Sequence, residues 1–141
     1  MEAVAVKPRG QRHRSVRAAA EADRPGVLET LTRAFAADPV VRWVFPEDAR
    51  FRFAFPLLAD AFGGGAIAKG TAFVAKEDAG AALWLPPEAE PDEETMMGVM
   101  QETVPPGRLE HVGELFDELD QYHPQGPHWY LTLIGVAPER Q

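Results

Sequence analysis

Apolar positions divide this chain into helical and strand-like stretches. Val27, Leu28, Leu31 and Phe35 recur at helical spacing, so residues 24–37 read as an amphipathic helix. Asp23 is placed as its N-cap, and Pro25 falls in its first turn. The run "VVRWVFP" is compact and apolar, with room for one or two helical turns. Phe51, Phe55, Leu58 and Phe62 mark a second helix over about 48–62, with Pro56 predicting a kink or a late start. "GGG" at 63–65 ends it. Two strands are expected at 66–77 and 81–86, joined by a tight "DAG" turn. Helices follow at 93–104 and 108–121, separated by "PPG". Leu109, Val112, Leu115, Phe116 and Leu119 give the later helix an apolar face.

The last stretch, "HWYLTLIGVAPERQ", alternates as a strand over 128–136. Strict alternation puts His128, Tyr130, Thr132, Ile134 and Val136 on one face, and Trp129, Leu131, Leu133 and Gly135 on the other. Both faces are largely apolar, which predicts a central strand covered on both sides. With a short strand in "SVRAAAEAD", the predicted order is β-α-α-β-β-α-α-β. That is an α/β (α+β) chain with a mixed, mostly antiparallel sheet flanked by helices.

Charge and composition narrow the function. Net charge is −8 over 141 residues. Lys7, Arg9, Arg12, Arg14 and Arg17 concentrate basic charge at the start, and residues 1–14 read as a disordered basic tail before a domain at 15–141. The remaining residues 18–141 carry −12, which disfavours nucleic acid as a partner. No apolar run approaches the ~18 residues of a membrane helix. No secretory signal pattern opens the chain. The chain has no cysteine, which removes disulfides and thiolate chemistry. The cytoplasm is the expected compartment. His111, His123 and His128 form no i, i+4 helical pair, so no metal is expected.

Three segments carry a family resemblance: "AFAADPVVRWVFPEDAR", "GAALWLPP" and "HWYLTLIGVAPERQ". In that order they resemble the N-terminal part of GNAT-type N-acetyltransferases, over residues 15–141. The last segment is the most specific. It is similar to the family's central strand, which leads into a glycine-rich turn whose backbone N–H groups bind the pyrophosphate of acetyl-CoA. Gln141 matches the first residue of that turn, so the resemblance implies an incomplete acyl-CoA N-acyltransferase fold, truncated at the phosphate loop.

The resemblance implies acetyl-CoA as co-substrate and a small-molecule or peptide amine as acceptor. Ile134, Gly135, Val136, Arg140 and Gln141 would face the cofactor. Trp43 and Phe45 would wall the acceptor site. His128 or Tyr130 would take the amine proton, directly or through water. Gly135 has two compatible readings, close backbone approach to the pantetheine or a bulge in the strand. The far edge of the last strand would be left unpaired, a place for homodimer or strand-edge association. A non-catalytic interaction module is the alternative function.

Overall fold

The computed structural model describes residues 15–141, so the expected basic tail lies outside the described residues. Strand β1 is Val16–Ala18, followed by helices α1 (Arg24–Phe35), α2 (Pro39–Val44), α3 (Asp48–Gly63) and α4 (Gly65–Ala68). The hairpin β2 (Ala72–Ala75) and β3 (Gly80–Leu85) comes next. Helices α5 (Glu93–Thr103) and α6 (Pro106–Asp120) precede β4 (Tyr130–Val136). The four strands form one antiparallel sheet in the order β1-β2-β3-β4. The result is an α+β fold.

Local chemistry sets most boundaries. The Asp38 carboxylate accepts from Val41 N at 2.9 Å, and Pro39 opens α2 where no N–H is needed. Asp92 caps α5 by accepting from Thr95 N at 3.1 Å. Asp23 stands at the N-cap position of α1, as expected, but its side chain makes no capping bond there. Its carboxylate is taken by Arg17 at 2.8 Å and by Ala20 N at 2.8 Å, inside the 3-10 turn Glu21–Asp23. Helix α3 continues through Pro56. The hydrogen bond lost there is offset by burial of Phe51, Ala54, Phe55 and Ala59 along one face.

Residues 66–68, expected to begin a strand, fall in α4 instead. Ala66 and Ile67 are buried there, and a short apolar run does not distinguish helix from strand by period. The hairpin turn spans Lys76–Asp78, with positive φ at Glu77 and Asp78.

Helices α1, α3 and α4 pack on one face of the sheet. Under them lie the cross-strand rows Ala72–Leu83–Leu133 and Val74–Ala81–Gly135. The alternate row, Phe73–Ala82–Ile134, faces away, and Phe73 and Ile134 are exposed. Among the described residues β4 pairs with β3 alone, so its far edge is unpaired as expected, and its residues are half-buried or exposed. Covering was expected on both faces; among the described residues only the helix side is covered. Helix α5 packs on α3 rather than on the open face, and α6 touches α5. The apolar stripe of α6 is correspondingly uncovered: Val112 is buried, while Phe116 and Leu119 are exposed.

Candidate active site

A β-bulge decides where the β4 side chains point. Leu83 pairs with Leu133 but Trp84 pairs with Leu131, which leaves Thr132 as the extra residue. Parity changes there. Tyr130, opposite buried Leu85, joins Leu133 and Gly135 on the helix-covered face, while Ile134 and Val136 face outward. The strict alternation expected from sequence is broken at this point. Thr132 donates its hydroxyl hydrogen to Leu83 O at 3.0 Å, which satisfies a carbonyl beside the irregularity.

The bulge is not at Gly135. A Cβ on Gly135 would lie 2.7 Å from the Ala34 Cβ and 3.2 Å from Leu31 Cδ2. Glycine here lets α1 lie directly on the strand.

Tyr130 sits in an aromatic nest. Its ring meets Phe62 edge-on at 5.6 Å and His123 at 4.6 Å. Burial pushes its hydroxyl above the ordinary tyrosine value, and the nearby Asp120 carboxylate pushes the same way. Tyr130 is therefore held neutral at physiological pH, a proton donor more readily than a base.

His128 Nδ1 lies 2.7 Å from Gly126 O. A carbonyl only accepts, so His128 donates from Nδ1, which leaves Nε2 as an acceptor in the neutral ring. His123 Nε2 donates to it at 2.9 Å. Gly126, at φ +80°, provides the left-handed turn that folds the loop back and brings the two rings together. The sequence reading placed His128 near this site but missed His123. An i, i+5 spacing has no meaning on a helix, and its one signal was "HPQGPH", two histidines bracketing a Pro-Gly turn.

The C-terminal residues are engaged locally. Arg140 pairs with Glu77 at 2.8 Å, Glu139 pairs with Arg33 at 2.5 Å, and the Gln141 amide donates to Val136 O at 3.0 Å. The Arg33 guanidinium holds the Glu139 carboxyl below its usual range. Arg140 meets an anion only by leaving Glu77, an exposed pair of modest strength.

Trp43 and Phe45 part company. Trp43 is partly exposed, under the Arg108 guanidinium at 5.5 Å, and lines a shallow pocket of about 500 Å³ with Pro105, Gly107, Arg108 and His111. Phe45 is 2% exposed and belongs to the core. A second open groove of about 570 Å³ lies between α1 and α3, lined in part by Leu28, Thr32, Arg33, Phe51 and Pro56. Neither pocket is lined by Tyr130 or His128. Among the described residues no group of three or more His, Asp or Glu side chains converges as a metal site. No helix among them is long and apolar enough to cross a membrane.

The fold resembles that of GNAT acetyltransferases. The chain is similar to a crystal structure described as histone acetyltransferase HPA2 and related acetyltransferase from Corynebacterium glutamicum. The two are 25% identical with a TM-score of 0.56, and the match covers 90% of this chain and 62% of that one. No protein-family model and no curated protein matches the sequence.

Proposed function

We propose that this chain supplies the acceptor-side half of an acetyl-CoA-dependent N-acetyltransferase domain, transferring an acetyl group to a primary amine of a small molecule or peptide. The observation that carries this reading is the structural match to an acetyltransferase over 90% of the chain. The strand that the resemblance sets against the co-substrate is β4, which ends in Ile134-Gly135-Val136. The match spans 62% of that structure's length, so the activity is proposed for a domain with further residues beyond the match.

In this reading acetyl-CoA supplies the thioester. The backbone of Ile134, Gly135 and Val136 would line it, and Arg140, once released from Glu77, and Gln141 would meet its phosphates. His128 would take the amine proton at Nε2, directly or through water, once the His123 N–H turns away from it. Tyr130, kept neutral by burial and Asp120, suits donation to the departing thiolate. Trp43 borders the acceptor approach. The acidic body steers cationic amines toward the site.

The test is calorimetric titration of acetyl-CoA, with thiol release measured against an amine panel. Two samples are compared, the 141-residue chain and the product of the complete coding sequence. The 141-residue chain is expected to show no micromolar binding, since the phosphate loop supplies much of the anchoring. The complete product is expected to bind and turn over. Failure of the complete product to bind acetyl-CoA overturns the reading.

One observation favours a second reading, an acetyltransferase-like interaction module. The β4 edge carries no charged residue, and Ile134 and Val136 are exposed beside it. Sedimentation velocity separates the two: concentration-dependent self-association without acetyl-CoA binding supports the module.

A further inference from the structure

His123 and His128 present two ring nitrogens to one another across a turn, half-buried and beside Tyr130. The geometry points to a divalent transition-metal site of the zinc and nickel type, formed by His123 Nε2 and His128 Nε2.

Three features carry this. First, the His128 ring is already set as a ligand. Its Nδ1 donates to the Gly126 carbonyl at 2.7 Å, the arrangement that orients metal-bound histidines and raises the basicity of the other nitrogen. Second, the two Nε2 atoms stand 2.9 Å apart. Tetrahedral zinc with ~2.05 Å bonds needs about 3.3 Å between two nitrogens. A small opening of the loop accommodates the ion, and the His123 hydrogen moves from Nε2 to Nδ1. Third, His123 is anchored on both sides: its backbone N–H donates to Asp120 O at 3.1 Å at the end of α6, and its ring meets Tyr130 at 4.6 Å. The remaining coordination positions would be left to water. Two imidazoles select zinc, nickel or copper over magnesium and calcium, which prefer oxygen ligands.

The site goes beyond the acetyltransferase reading and does not need it; an ion on His128 Nε2 would take the lone pair that reading gives to the amine proton. A bound ion would clamp residues 123–128 at the entrance of β4 and hold the His123 ring against Tyr130.

The experiment uses the tag-free 141-residue chain near neutral pH. Zinc chloride, nickel chloride and, as a control, magnesium chloride are titrated by calorimetry, with ring nitrogens followed by long-range proton–nitrogen NMR. One zinc or nickel ion should bind, shifting the Nε2 signals of His123 and His128 together, with no response to magnesium. His123→Gln should weaken zinc binding roughly 10- to 100-fold, the scale that loss of even a supporting hydrogen bond produces. His111→Gln should bind as the unaltered chain does. His123 lies outside every strand and helix, so its variant keeps the test sound if His128→Gln misfolds. Absence of zinc binding, or binding undiminished in His123→Gln, overturns the proposal.

Discussion

A Cβ placed on Gly135 would stand 2.7 Å from the Cβ of Ala34, closer than side-chain carbons approach in folded proteins. The contact joins the C-terminal end of β4 to the last turn of α1. It sets how near the helix lies to the strand that the acetyltransferase reading places against acetyl-CoA.

Gly135→Ala should therefore destabilise the fold by about 1–3 kcal/mol, the usual cost of overpacking. Adding Ala34→Gly should recover part of the loss, less the ~1 kcal/mol penalty of glycine inside a helix. Chemical denaturation of the two single variants and the double variant checks the coupling. Strict additivity would show that the contact does not limit the packing.

Phe45 and Trp43 should behave differently although they are two residues apart. Phe45→Ala should cost about 3–5 kcal/mol, as deletion of a buried aromatic does. Trp43→Ala removes a partly exposed ring and its stacking with Arg108, worth about 0.5–1 kcal/mol. Equal losses in denaturation midpoints would contradict their assigned burial.

Tyr130 should ionise above the ordinary tyrosine value, because burial and then the Asp120 carboxylate disfavour its charged form. The folded pKa is raised, so the contribution to stability is present in full below the unfolded tyrosine value of ~10. It is lost as pH rises through the folded value. Ultraviolet difference titration of the unaltered chain and Tyr130→Phe should assign the raised transition to Tyr130. A variant with an unchanged titration curve would refute this.

Asp23 makes the opposite prediction. Hydrogen bonds from Arg17, then from Ala20 N, hold its carboxyl well below the usual range. A depressed folded pKa contributes stability above the unfolded value of ~3.9, and the contribution is lost as pH falls below it. Asp23→Asn should therefore melt lower than the unaltered chain near neutral pH, with the difference closing in acid below roughly pH 4. A gap that persists at low pH would mean that Asp23 acts through packing rather than charge.

The sequence by itself determined the helices and strands wherever one face repeats at a fixed period. Helices α1, α3 and α5 and the hairpin lie close to where Leu31, Phe51, Phe55 and the "AALWLP" run put them. Those residues carry their own periodicity, and the GNAT resemblance rested on "AFAADPVVRWVFPEDAR", "GAALWLPP" and above all "HWYLTLIGVAPERQ". Tertiary structure decided what periodicity does not encode. Among the described residues it left the outward face of β4 open, because apolar content does not say which neighbours are present. It rotated Tyr130 onto the covered face through one extra residue at Thr132, which inverts the parity of every position before it. It took the Asp23 carboxylate away from the cap, because Arg17 and Ala20 reach it first. It brought His123 to His128 across a glycine turn, a pairing that depends on the path of the loop rather than on any spacing along the chain.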